Sequence, residues 1–306
     1  MRTQRVRHAF TLIELLVVIA IIAILVGLIS AAVIKALEVG TRTRVSAELR
    51  QLDAACVAFK VRFGDYPPSR VRLRRDGNYD LRLDAAGRPV DRLDFLTYRA
   101  LIQFWPRLKH PINWNGDVQA APGSVWDLEG DQCLVFFLGG IPYRSTQTLG
   151  CLGFSTDPSN PARPGGDRIQ AFYDFTGGRL RDLASNGFWS YLDPHGEQPY
   201  AYFSSWNKFP GYADATGWGT DCPRLGIWPY AESPPTTDRV RMWHRSISFQ
   251  ILSAGRDGRF GPGTNLGIPS PGYWTFNQAS AYAGRFPDAA DDLSNFHDLL
   301  IGVPSN

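Results

Sequence analysis

One acid stands where a charge is costly. Glu14 lies at the head of an apolar run, and from Leu15 to Ile34 there is no charged side chain. A carboxylate bordering such a run costs several kcal/mol unless a partner neutralises it, so its presence calls for a reason. Two further acidic positions have suggestive neighbours. Asp257 sits in a turn flanked by Gly255 and Gly258, and Asp291-Asp292 form a pair near the end of the chain. The plain alternatives are an ordinary turn and a helix cap.

The other reactive residue types exclude more than they offer. The histidines (His8, His110, His195, His244, His297) are scattered, with no His-x-x-x-His or His-Glu pair for zinc. No Gly-x-Ser-x-Gly elbow and no Gly-Lys-[Ser/Thr] phosphate loop occurs, and Gly258, Gly261 and Gly263 are turn residues. The cysteines (Cys56, Cys133, Cys151, Cys222) have no Cys-x-x-Cys spacing. In an oxidising compartment Cys133 and Cys151 are one possible pair; free, buried thiols are the other reading. The nine tryptophans are core and loop packing or, alternatively, a sugar- or polymer-binding surface. The net charge is +3 with signs interspersed, so no nucleic-acid stripe stands out. The expectation is a protein that is not an enzyme.

These acids must be positioned by a long helix and a β-rich remainder. The leader Met1 to Ala9 is basic through Arg2, Arg5 and Arg7 and has no acid. The uncharged run after it is long enough to cross the ~30 Å hydrocarbon layer as a helix. Val45, Leu49, Leu52, Cys56, Phe59 and Phe63 then recur at spacings of four and three, one apolar face of an amphipathic helix. Arg42, Arg44, Glu48, Arg50, Lys60 and Arg62 fall largely on the other side. Gly64-Asp65-Tyr66-Pro67-Pro68 ends it, giving a helix of about 80 Å with Gly40 as its weak point. From Arg70 to Tyr191 no periodicity persists for long; Gln132 to Leu138 and Ala171 to Phe175 are candidate strands.

A basic leader, then Phe10-Thr11-Leu12-Ile13-Glu14 and an unbroken apolar helix, resembles the signal of type IV pilins and type II secretion pseudopilins. The resemblance implies that a prepilin peptidase cuts between Ala9 and Phe10 and methylates the new amino terminus of Phe10. Glu14 then becomes the fifth mature residue, where the family carries its assembly glutamate. The family usually has Gly before the cut, here Ala9, and Pro at the position of Ala31. Three later blocks are similar to those of major pseudopilins: Asp193-Pro194-His195-Gly196-Glu197-Gln198-Pro199-Tyr200-Ala201-Tyr202, with His195 in place of Trp; Phe249-Gln250-Ile251-Leu252-Ser253-Ala254-Gly255-Arg256-Asp257-Gly258; and Asp291-Asp292-Leu293-Ser294-Asn295-Phe296. With Asp65-Tyr66-Pro67 after the helix, the blocks stand in family order.

The resemblance implies an α+β, pilin-like fold, in which a long N-terminal helix packs on an antiparallel sheet with large loop insertions. Its parts are a leader (1–9), a transmembrane helix (10–35), an amphipathic helix (36–64) and a periplasmic head (65–306) with an insertion over about 70–190. It further implies a calcium ion held by Asp257, Asp292 and the Ala254 carbonyl, with Asp291 as a spare acid, oxygen ligands that suit a hard cation. The implied role is a structural subunit of a type II secretion pseudopilus. It is anchored once in the bacterial inner membrane, assembles into a helical filament and meets the secretion-system platform, with no nucleic-acid partner. The alternatives are a surface-filament subunit for adhesion or DNA uptake, and a membrane-anchored, calcium-dependent carbohydrate-binding protein.

Overall fold

The apolar run and the periodic face that follows it form a single helix, α1, from Leu12 to Phe63. The computed structural model describes residues 12–117, 120–146, 148–205, 212, 220–230, 244–260 and 292–296. Two compact units divide at Arg44 and Val45. In the first unit α1 continues through Gly40, and among the described residues its large apolar side chains are exposed, Leu12 at 80 % and Val39 at 56 %. Ser30, Thr41 and Thr43 donate to the carbonyls of Val26, Leu37 and Val39 one turn back, so these hydroxyls are satisfied within the helix. Among the described residues no helix is long and apolar enough to cross a membrane. Leu28, Ala31, Ala32 and Ile34 of the uncharged run lie outside that tally, and the expected span over 10–35 rests on the sequence.

The second unit is α+β, with small antiparallel sheets around the rest of α1. As the spacing predicts, Val45, Leu49, Leu52, Cys56 and Phe59 are fully buried, Phe63 is half-buried, and Gly64 ends the helix. Each large apolar side chain so buried is worth about 1.5–3 kcal/mol. Strand β1 (Val71–Arg74) pairs with β2 (Val125–Leu128), β3 (Pro142–Arg144) with β4 (Leu149–Cys151), and β5 (Leu180–Arg181) with β6 (Ser190–Tyr191). A three-stranded sheet has the order β7 (Ala201–Ser204), β8 (Phe249–Ser253), β9 (Leu293–Ser294).

The segment from Arg70 to Tyr191 departs from its sequence reading. Gln132 to Leu138 is not a strand but the middle of helix α3 (Gly130–Gly139), whose residues are all buried. A short run apolar on every side has no period to separate the two, and a helix apolar all round is a buried one. Gly130 opens α3 where a β-carbon would stand 2.0 Å from the Tyr202 carbonyl oxygen, so only glycine lets the helix approach β7 this closely. Ala171 to Phe175 is also not a strand; the amides of Phe172 and Tyr173 both donate to the Leu138 carbonyl at the end of α3. A periodic helix does occur in this stretch. Helix α2 (Arg92–Phe104) buries Leu93, Leu96, Thr97, Ala100, Leu101 and Phe104, and Asp91 caps it by accepting from the Asp94 amide at 3.0 Å. This segment supplies Phe136, Phe137, Trp114 and Phe154 to the main core, with Phe137 against Phe59.

Glu48 does not face water with the other charges of α1. Its side chain is 13 % exposed and enclosed by donors: Arg179 Nη1 at 2.8 Å and Nη2 at 2.6 Å, Tyr200 at 2.7 Å, Tyr173 and Tyr191 both at 3.1 Å. Arg179 lies over the Tyr191 ring at 4.2 Å and donates to the Leu192 carbonyl. Burial alone pushes the Glu48 carboxyl up; the Arg179 and Tyr200 hydrogen bonds, the Arg179 charge and the Tyr173 hydroxyl outweigh it and leave it below its ordinary 4.5. A group depressed in this way stabilises the fold fully above its unfolded value and loses that contribution as pH falls through the lower, folded one. Glu48→Gln should therefore lower stability by about 3 kcal/mol at neutral pH, as breaking a buried pair does. It should also flatten the decline in melting temperature below the ordinary carboxylate range; an acid limb identical to that of the wild type would remove Glu48 from that role.

Candidate functional site

The segments that resemble pseudopilin blocks meet at the β7–β8–β9 sheet. Strands β7 and β8 are buried on both faces. Their register pairs Tyr202 with Ile251 and Ala201 with Leu252. Tyr202, Phe249 and Ile251 join the main core, while Ala201, Phe203 and Leu252 join a second one with Tyr230 and Cys222. Gln250, fully buried on the second side, accepts from the Tyr230 amide and donates to the Tyr230 and His244 carbonyls, all at 2.8 Å.

Two turns interlock at one end of this sheet. The buried Asp193 caps its own turn by accepting from the amides of His195 (2.9 Å) and Gly196 (3.1 Å). Its other oxygen accepts from Ser253 Oγ at 2.5 Å, tying the first block to the second. Desolvation raises the Asp193 carboxyl above its ordinary range, against the pull of these hydrogen bonds. Gly258 has φ +67°, a left-handed conformation that favours glycine, and the Asp257-Gly258 turn lies against Glu197 of the first block.

The third block closes the sheet onto the helix. Asn295 Oδ1 accepts from the Ile251 amide at 2.9 Å, and its Nδ2 donates to Asp53 of α1 at 2.7 Å. Arg245 joins the same Asp53 oxygen at 2.7 Å, and Phe296 stacks on His244 with ring centroids 5.0 Å apart. Tyr66 of the Asp-Tyr-Pro segment packs on Phe249, and the Pro67 carbonyl accepts from Tyr202 at 2.7 Å. Asp53 and Arg245 are absent from the sequence reading because each bonds across a long stretch of chain and leaves no local pattern.

The expected metal ligands divide as follows. The pair Ser253–Leu293 ends the β8–β9 ladder, so Ala254 and Asp292 follow it at the same end of the sheet. Asp292 is fully buried and accepts from the Tyr230 hydroxyl at 2.7 Å, while Asp257 is exposed and accepts from the Arg259 amide at 2.8 Å. Two carboxylates and a carbonyl are oxygen donors of the kind a hard cation takes. Among the described residues no group of three His, Cys, Asp or Glu side chains gathers to hold a metal. Asp291 lies outside the described residues, as do Ala9 and Phe10. Glu14 is in the first turn of α1, where a negative charge faces the positive end of the helix dipole.

The four cysteines are free thiols, and all but Cys151 are fully buried. Cys133 donates toward the Leu128 carbonyl and Cys222 toward that of Tyr202. Burial pushes the Cys151 thiol up to about 12, so it is not a reactive thiolate.

Residues 4–30 match the model of the prokaryotic N-terminal methylation motif. No curated protein matches the chain, and no solved structure does. The chain thus carries a type IV pilin-like N-terminal motif, which implies membrane anchoring, processing by a prepilin peptidase and, in general terms, assembly into a filament.

Proposed function

We propose that the protein is a structural subunit of a type II secretion pseudopilus, with a mechanical rather than a catalytic role. In this reading it is held in the bacterial inner membrane by its N-terminal helix, with the head in the periplasm. The secretion platform then draws it into a helical filament. The observation that carries the reading is the joining of the three pseudopilin-like blocks in one sheet, tied through Asn295 and Asp53 to the helix that bears the methylation motif. Calcium belongs to the same proposal: Asp257, Asp292 and the Ala254 carbonyl are the residues that would hold it, where it would neutralise two acids and fasten the end of the sheet.

Processing sets the first test. Mass spectrometry of the mature protein should find methylated Phe10 at its amino terminus, and Ala9→Phe should leave full-length precursor in the membrane. A mature terminus beyond Ile29 would instead mark an ordinary secreted protein.

Glu14 sets the second. In hydrocarbon its carboxylate needs a cation, and the amino group of Phe10 on a neighbouring subunit provides one; desolvation cancels much of the attraction, so the pair selects register more than it adds stability. Glu14→Ala should insert and be cleaved, yet yield no filaments by electron microscopy. Normal filaments from this variant would refute the pairing.

The third concerns the ion. At a hundredfold excess over Kd, calcium should stabilise the protein by about 2.7 kcal/mol. The detergent-solubilised chain should melt several degrees lower in chelator, and Asp257→Ala should melt like the chelated wild type. A melting temperature indifferent to chelator would leave Asp257-Gly258 as a plain turn.

A further inference from the structure

A cleft of about 810 Å³ opens in the head beside the β3–β4 hairpin, lined among others by Asn113, Asn115, Tyr143, Arg168, Asn186 and Trp189. Arg144 is shared with a second hollow of about 500 Å³, where Ser145, Thr146 and Thr148 contribute hydroxyls. The two hollows share Arg144, and Trp126, Tyr143 and Trp189 stand in the lining of the larger one. Both volumes fall within the range of about 300–1,000 Å³ common for ligand sites.

The lining is built and has unused capacity. Asn115 and Asn186 are held in place at the cleft: Asn115 Oδ1 accepts from the Asp117 amide at 3.1 Å, and Asn186 Oδ1 from Gln132 Nε2 at 2.9 Å and the Phe188 amide at 3.1 Å. Tyr143 is 45 % exposed and offers a ring face. Trp189 is fixed by its Nε1 bond to the Gly150 carbonyl (2.8 Å) and by the Arg144 guanidinium 5.1 Å from its ring centroid. Arg168 bonds only backbone carbonyls, those of Gly153 and Arg163, so among the described residues no carboxylate neutralises it. The rim is set in advance. Asp182 accepts from the amides of Asn186 (3.1 Å) and Gly187 (3.3 Å) and pairs with Arg144 (3.1 Å), and Ser185 is held at φ 52°, a conformation that non-glycine residues adopt at a cost.

We propose that this double cleft binds a chain of sugar rings. Side-chain amides present a donor and an acceptor on one rigid group, which matches the paired hydroxyls of a pyranose. An exposed tyrosine ring packs against the C–H face of such a ring, as aromatic walls do for partly apolar ligands. Arg144 lines both hollows, so successive rings would have successive places on either side of it. A nucleic acid fits poorly, because the cleft residues form no run of cations to follow a phosphate backbone. The proposal stands apart from the use made of the N-terminal segment.

The full chain, solubilised in a detergent without a sugar headgroup, should be applied to an array of uncharged and uronic-acid oligosaccharides, with hits measured by calorimetry. Binding should appear on at least one class. Preference for the uronic acids would assign a role to the Arg168 charge; preference for uncharged chains would leave recognition to Tyr143 and the amides. Tyr143→Ala and Asn115→Leu should each weaken binding at least tenfold while the melting temperature holds within a degree or two. Silence across the array, or wild-type affinity in both variants, would overturn the proposal.

Discussion

The enclosure of Glu48 is the constraint on which the head depends. Apolar contact along Val45, Leu49, Leu52, Cys56 and Phe59 favours burying that face of α1 but fixes neither its rotation nor its axial position, because hydrophobic attraction is not directional. A carboxylate that must meet one guanidinium and three phenols has few acceptable placements. Arg179, Tyr173, Tyr191 and Tyr200 come from a stretch that includes β6 and leads into β7, so one acid sets the helix in register with the centre of the chain. Whether such a pair adds net stability over an apolar substitute is secondary to the specificity it imposes.

The second organising feature is a sheet with no solvent face. Because β7 and β8 alternate between two cores, each side chain is committed to one of them, and a slip of one residue would exchange the whole set. Gln250 makes the penalty larger. Moved to the other face, its amide would lose the carbonyls and the amide of Tyr230 and His244 that satisfy it.

The sequence makes these features legible unevenly. The inward face of α1 and its stop at Gly64 are visible because one period governs them over many turns. The blocks around Asp193, Ser253 and Asn295 are visible through resemblance, and the sheet they form explains their composition: turn caps, a β8–β9 end and a tie to Asp53. Helix α3 was hidden because an apolar run buried on every side has lost the period that would name it. Helix α2 was not hidden; Leu93, Leu96, Ala100 and Phe104 keep the helical spacing, and Asp91 marks the start. Glu48 and the cleft at Asn113 leave no local signal at all. Their partners lie far along the chain, and only the folded packing brings them together.

The tie between Asn295 and Asp53 joins residues 242 positions apart. Such a contact closes nearly the whole head as one loop, and its entropy must be met before it returns any stabilisation. A chain emerging from its N-terminal end therefore presents α1 and the aromatic core early, while β8 waits without its outer neighbour until β9 arrives. During that interval the β9-facing edge of β8 is an open template for pairing with another chain. The order of emergence thus makes the short strand β9 the guard against premature association, a duty quite separate from the little area it buries.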